Sequence, residues 1–235
     1  MEKSRKTIGI LAGMGPRSTA RFLNVVLDEC EKQYGAKYDD EFPHMMIYSL
    51  PTPFYLYKPV NQEDLKRSVC EGVKRLEETG VDFIVIPCGS VHAFFNEISA
   101  SVHVPVLNMV NEVVKEVPQD ISSLALIATK IMHDSGLYQD ALKARGSDIV
   151  ETTDLQPQIN GLIRSAKSHE PMEKLLERYQ GLVKTLAERG ATGIIIACTD
   201  LSDIAATKNQ VRTFDAGKIL AKATVSYYLS GLGIV

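Results

Sequence analysis

Residues 76–88, LEETGVDFIVIPC, align without a gap on residues 186–198, LAERGATGIIIAC, so that Cys88 falls on Cys198 at an offset of 110 residues. In each copy a charged helical pattern ends, a glycine follows (Gly80, Gly190), and an apolar run leads to the cysteine. A glycine at that point suits the left-handed residue that closes a helix. A strand-length run that is apolar at every position reads as a parallel strand covered by helices on both faces. A looser match sets TIGILAG (residues 7–13) on SLALIAT (residues 123–129). Duplication of a unit with a strand–loop–helix start and a strand–Cys–helix end is the simplest account. It predicts two similar α/β domains.

Outward from the repeat, strand-length runs at 7–12, 44–50, 82–87, 104–108, 122–128, 148–152, 193–197 and 211–214 alternate with helical patterns. The helical stretches are 17–34, 62–79, 90–100, 134–145, 156–165, 172–189, 199–207 and 216–232. Such alternation indicates βαβ units and parallel sheets. The expected fold class is α/β: two pseudo-symmetric Rossmann-like domains with parallel sheets and the active site in the cleft between them. The first domain is expected to take residues 1–110 and 213–235, with the last helix returning to it, and the second residues 111–212. Residues 108–120, interrupted by Pro118, read as the crossover, and 209–215 as the return.

The chain of 235 residues is 45% hydrophobic and 23% charged with a net charge of −3, the balance of an ordinary globular protein with a core of its own. No basic stripe suggests a nucleic-acid partner. No apolar run approaches the roughly 20 residues of a membrane span. Residues 1–7 are charged and lead straight into a strand without a leader's apolar region, which reads as a cytoplasmic protein. The four cysteines, Cys30, Cys70, Cys88 and Cys198, form no CxxC pair and no zinc-ligand spacing, so no metal is expected. Cys30 and Cys70 fall inside helical patterns and read as small buried hydrophobes. His44, His103, His133 and His169 read as surface or structural residues.

Cys88 and Cys198 differ by position. Ligands of open α/β sheets bind beyond the carboxyl ends of the strands, where both cysteines fall. Each precedes residues suited to starting a helix, Ser90 after Cys88 and Thr199 after Cys198. A thiol at a helix start is biased toward thiolate, and the free N–H groups there suit a carboxylate. Two such thiols on opposite sides of one cleft are the layout that inverts a carbon centre. One removes the α-proton from one face and the other delivers a proton to the opposite face. A thiol pKa of about 8.5 is close enough to neutrality for one cysteine to be thiolate while the other is thiol. Acid–base work of this kind contributes on the order of 10²–10⁴-fold. His92, one helical turn after Cys88, is a candidate for tuning that thiol. Asp200, two residues after Cys198, is a candidate acceptor for an amine. The loop of Gly13, Met14, Gly15 and Pro16 lacks the lysine of a phosphate loop and reads as a substrate loop.

Several of these stretches resemble the aspartate/glutamate racemase family, which also takes in hydantoin racemases, maleate isomerases and arylmalonate decarboxylases. GILAGMGPRST (residues 9–19) resembles the family's N-terminal G-[IL]-L-G-G-M-G-P-x-[AS]-T. PCGSVH (residues 87–92) resembles P-C-N-T-x-H, and ACTDLSDI (residues 197–204) resembles G-C-T-E-[LI]. DSGLY (residues 134–138) and FDAG (residues 214–217) match further landmarks. The likeness spans the chain and is greatest to the aspartate racemases. It implies a homodimer that racemises a small amino acid, aspartate or glutamate by family default, without pyridoxal phosphate or metal. Cys88 and Cys198 would be the catalytic pair, since the decarboxylases keep one cysteine. Met14, Gly15, Ser49, Gly89, Ser90, Thr129, Thr199 and Asp200 would bind substrate. An isomerase or hydantoin-type racemase on the same scaffold, or a non-catalytic amino-acid-binding relative, are the alternatives.

The departures fall on the charge clamp. Gly89 stands where the family has asparagine, and SLPTPFYLYKP (residues 49–59) lacks the arginine of the family's P-D-R-T. The position at which the family carries a lysine in the second domain reads Gln158, within LQPQIN, and Arg17, Lys58, Lys130 or Arg164 are the candidate substitutes. A site depleted of cations points to an amino acid with a neutral or differently charged side chain.

Overall fold

The computed structural model describes residues 6–53, 58–168, 170–207 and 210–232. Residues 54–57 of the SLPTPFYLYKP stretch, most of 1–7, His169 and part of the return segment lie outside the described residues. The first unit (Met1–Asn108, Leu220–Val235) is built on β1 (Thr7–Ala12), α1 (Pro16–Tyr34), β2 (His44–Ser49), α2 (Gln62–Glu77), β3 (Phe83–Val85) and α3 (Phe95–Ala100). Its strands are parallel in the order β2-β1-β3. β1 and β3 are buried almost throughout, as strands covered on both faces must be. α1 turns Phe22, Val26 and Cys30 inward at four-residue spacing and closes on Gly35, whose φ is 75°. Burial pushes the Cys30 thiol up, so it stays protonated as a packing group.

The strand expected at 104–108 is reduced to a single bridge, Ile84 with Val106. Pro105 explains the contraction: its carbonyl accepts from the Ile84 N–H at 2.8 Å, but it has no N–H to return.

The second unit (Met109–Ile219) holds α4 (Met109–Glu116), β4 (Ser123–Ile127), α5 (Lys130–Asp134), α6 (Leu137–Ala144), β5 (Asp148–Ile149) and α7 (Gln156–Lys167), followed by α8 (Met172–Glu188), β6 (Gly193–Ile196), α9 (Ser202–Ala205) and β7 (Arg212–Asp215). Its parallel sheet runs β5-β4-β6-β7, the order of the first sheet with the bridge at 106 grown into a full strand. Ile127, Ile194 and Ile196 of this sheet pack with Ile159, Ile163, Tyr179 and Leu186 from α7 and α8.

Four further expectations change. Residues 108–120 are not a plain crossover, because α4 occupies most of them. Its end is closed from a distance by the Arg145 guanidinium, which donates to the carbonyls of Val114 (3.3 Å), Val117 (2.8 Å) and Pro118 (2.8 Å). The carbonyls of Val114 and Val117 are ones that a helix end leaves without partners, and that of Pro118, just beyond the helix, also accepts from the Ile121 N–H at 3.2 Å. The helix expected at 134–145 is α6, which starts after Gly136 with φ 71°, and a separate short helix, α5, precedes it. The helices expected at 90 and 199 begin as 3₁₀ turns. Residues from 213 onward do not all fall in the first domain: β7 pairs with β6 in the second sheet, Ile196 opposite Asp215. The division falls later, inside α10 (Ala216–Leu232). Within the first unit, that helix packs Tyr227 against Phe83 of β3 with the rings tilted at 57° and their centroids 4.8 Å apart, and takes a bond from Gln33 to the Lys222 carbonyl. Among the described residues no helix is long and apolar enough to cross a membrane.

Candidate active site

At the carboxyl edge of the first sheet the chain leaves β1 through Gly13, Met14 and Gly15. Gly13 takes φ 92°, and its N–H donates to Thr19 Oγ1 at 3.0 Å. The Ser18 hydroxyl and the Thr19 N–H both bond the Gly15 carbonyl, which seats the start of α1 directly behind the loop. Ser49, opposite Ala12 in register, ends β2 and is exposed. On the other side of β1, β3 leads through Ile86 and Pro87 to Cys88, Gly89 and Ser90. Met14, Gly15, Ser49, Cys88, Gly89 and Ser90 thus share one edge of one sheet.

The second unit repeats the arrangement. β4 leads through Ala128 to Thr129, which precedes α5, and β6 leads through Ala197 to Cys198, Thr199 and Asp200. The Ala197 N–H bonds the Ile127 carbonyl at 2.9 Å, so Thr129 and Cys198 leave neighbouring strands. The cysteines have matching backbones: Cys88 has φ −144° and ψ 109°, Cys198 has φ −124° and ψ 112°. Each immediately precedes a 3₁₀ turn and is buried, at 8% and 5% exposed respectively.

Two features here lie outside the sequence expectations. Lys167 Nζ sits 2.6 Å from Asp200 Oδ2, and the Cys198 thiol donates to that same oxygen at 3.7 Å. The Lys167 and Asp200 side chains are 16% and 13% exposed, so solvent screens the pair little. Lys167 is thus a half-buried cation beside the turn that follows Cys198, whereas Gln158 is exposed on α7, as are Arg17, Lys58, Lys130 and Arg164 at their own positions. The signal for Lys167 is helical periodicity. Gln156, Ile159 and Ile163 form the buried stripe of α7, and Lys167 continues it one turn further. The second feature is Gln156, whose Nε2 donates to the Ala128 carbonyl and to Asn160 Oδ1, both at 3.0 Å, tying α7 to the end of β4. Its Oε1 is buried and has no partner among the described residues.

His92 holds main chain. Its Nδ1 lies 2.9 Å from the Cys88 carbonyl oxygen, and the ring is 1% exposed. Burial lowers its pKa against the opposing pull of the backbone at Cys88 and Leu107. The imidazole is thus neutral and anchors the turn that carries the thiol. Because the folded-state pKa lies below the unfolded value of about 6.5, the unfolded chain binds the extra proton and stability falls as pH drops through that range. The expected result is that His92→Gln unfolds in urea with a weaker loss of stability between about pH 7.5 and about pH 5.5 than the parent. An equal loss in both would overturn the assignment. Among the described residues, no three His, Cys, Asp or Glu side chains gather as a metal site.

A family model described as Asp/Glu/Hydantoin racemase matches residues 11–224. The chain is 39% identical over 224 residues to the "broad specificity amino-acid racemase RacX" of Bacillus subtilis (strain 168), a match covering 95% of this chain and 98% of that one. Among solved structures, the aspartate racemase of Picrophilus torridus superposes with a TM-score of 0.78 at 20% identity, covering 95% of this chain and 94% of that chain. A glutamate racemase isoform of Bacillus anthracis superposes with a TM-score of 0.68 at 15% identity, covering 99% and 84%. At those identities the structural likeness speaks to the two-domain fold.

Proposed function

The chain belongs to the Asp/Glu/hydantoin racemase family and is an amino-acid racemase, and from that premise we propose that it works by two opposed thiols, Cys88 and Cys198. The observation that carries this reading is their equivalence: same strand end, same extended backbone, same 3₁₀ turn behind. In one direction the Cys88 thiolate takes the α-proton, the electron pair of the broken C–H bond passes into the substrate carboxylate, and Cys198 gives its S–H proton to the opposite face. The enzyme ends with thiol and thiolate exchanged, ready for the reverse reaction. The bond from the Cys198 thiol to Asp200 supports Cys198 as the acid of that direction. The N–H groups opening the two turns are suited to the charge that builds on the carboxylate. Gly89, Ser90, Thr199 and Asp200 lie there, and Met14, Gly15, Ser49 and Thr129 border them on neighbouring strands.

For substrate, the reading is a broad set of amino acids, not aspartate or glutamate alone. Lys167 is charge-balanced by Asp200, Gly89 offers no side chain, and the 49–59 stretch has no arginine. The Bacillus subtilis relative carries the description "broad specificity". A homodimer and freedom from pyridoxal phosphate and metal complete the reading on the strength of the motif resemblance, and a cytoplasmic location on the strength of the sequence pattern.

The test is α-proton exchange in D₂O, followed by NMR, on a panel of acidic, neutral and basic amino acids of both hands. Exchange with inversion across several classes is the expected result. Exchange confined to the acidic members would overturn the broad substrate range. A covalent adduct on Cys88 without exchange would overturn racemisation by proton transfer and favour an isomerase.

A further inference from the structure

Asp215 ends β7 opposite Ile196, two residues before Cys198, at the same edge of the sheet. Its Oδ1 gathers three donors: the Ser202 hydroxyl at 3.0 Å, the Gly217 N–H at 2.9 Å and the Lys218 N–H at 3.3 Å. Ser202 opens α9 immediately after the Thr199–Leu201 turn, and Gly217 and Lys218 lie in the first turn of α10. One oxygen therefore joins the starts of two helices. Its Oδ2 is closed from solvent with no hydrogen-bond partner among the described residues, and the same is true of the Tyr138 hydroxyl. The two groups sense each other electrostatically, and burial raises the pKa of both.

The packing repeats this connection. A Cβ on Gly217 would stand 3.1 Å from Thr199 Cγ2 and 3.4 Å from Ser202 Oγ. A side chain at residue 217 would press the first turn of α10 against the Thr199 turn, whose side chains would have to give by a few tenths of an ångström. That turn is in turn tied to the cysteine, since the Leu201 N–H bonds the Cys198 carbonyl at 3.0 Å.

We propose that Asp215 is a positioning residue for Cys198: by pinning Ser202 and the first turn of α10 to one carboxyl oxygen, it fixes the turn on which the second thiol rides. The proposal rests on the reading of Cys198 as a reacting group. Gly217 is the steric half of the same device. Asn at 215 keeps the acceptor oxygen, whereas Ala removes all three bonds.

The experiment measures the iodoacetamide alkylation rate of each cysteine by peptide mass, together with kcat and KM, in the parent, Asp215→Ala, Asp215→Asn and Gly217→Ala. Asp215→Ala and Gly217→Ala are expected to change the rate at Cys198 severalfold and leave Cys88 unchanged. Displacement of a reacting group by about 1 Å lowers kcat by up to about a hundredfold, more than it moves KM. Asp215→Asn is expected to recover most of both. A parental rate at Cys198 in both Asp215→Ala and Gly217→Ala, a parallel change at Cys88, or an Asn variant no better than Ala would overturn the proposal. A shifted Cys198 rate with unchanged kcat would uphold the positioning role and sink the two-thiol mechanism instead.

Discussion

Serine at position 88 or at position 198 is expected to lower the rate of inversion by roughly 10²–10⁴-fold, the contribution of one acid–base group. A hydroxyl fills nearly the same space as a thiol, but it is far too weak an acid to be a base at neutral pH and holds its proton too firmly to deliver it. Both cysteines are nearly buried, so the isosteric change should leave the fold intact and the melting midpoint close to the parent. The two losses should not add. Once either face lacks its group, inversion is blocked, and Cys88→Ser/Cys198→Ser should be little slower than either single variant. Each single variant should still exchange the α-proton of the one enantiomer whose proton faces the surviving thiol, returning it without inversion. Polarimetry gives the inversion rate, and NMR in D₂O gives the exchange from each hand. A single variant that inverts at the parental rate would exclude two opposed thiols. Loss of exchange from both hands in one variant would assign both steps to that cysteine.

Alanine at Gly13 is expected to be the most damaging change outside the cysteines, and it should act on stability as well as activity. At φ 92° any L side chain is strained by about 1–3 kcal/mol. The new Cβ would also lie 2.6 Å from both the backbone nitrogen and the backbone oxygen of Leu50. Backbone atoms cannot rotate away as a side chain can, and Leu50 is itself held by its N–H bond to the Ala12 carbonyl at 3.0 Å. Relief requires the ends of β1 and β2 to part, which adds about 1–3 kcal/mol of overpacking. For a chain of this length the sum lowers the melting midpoint by on the order of 10 °C. Met14, Gly15 and Ser49 move with that edge, so racemisation should fall too. Gly35→Ala is the control: φ is 75° there, but a Cβ would meet nothing within 4 Å, so only the conformational strain remains. Scanning calorimetry of both variants checks the argument. Equal losses at the two positions would remove the steric half of it.

What the sequence determined by itself is whatever depends on near neighbours along the chain. Phe83–Val85 and Gly193–Ile196 are apolar at nearly every position and follow glycine-capped helices, and a segment like that has one stable use, as a covered parallel strand. Their ends, and so the place of Cys88 and Cys198 at the sheet edge, are legible for that reason. The duplicated pattern likewise carries the repeated strand order. Tertiary structure decided what depends on partners distant in sequence. α4 reads as a linker because the group closing it, Arg145, lies about thirty residues further on. β7 joins the second sheet because its ladder to β6 forms with a strand nearly twenty residues earlier, and a short strand's own pattern does not name its partner. Lys167 meets Asp200 across 33 residues, and its place on the buried face of α7 becomes meaningful only once the 3₁₀ turn after Cys198 lies against that helix. Asp215 shows the same separation of causes: FDAG is visible as a motif, yet only folding brings Ser202 and the start of α10 to one carboxyl oxygen. Burial patterns are local and can be read from spacing, whereas hydrogen bonds and ion pairs are short-ranged in space and unconstrained in sequence, so the fold had to choose them.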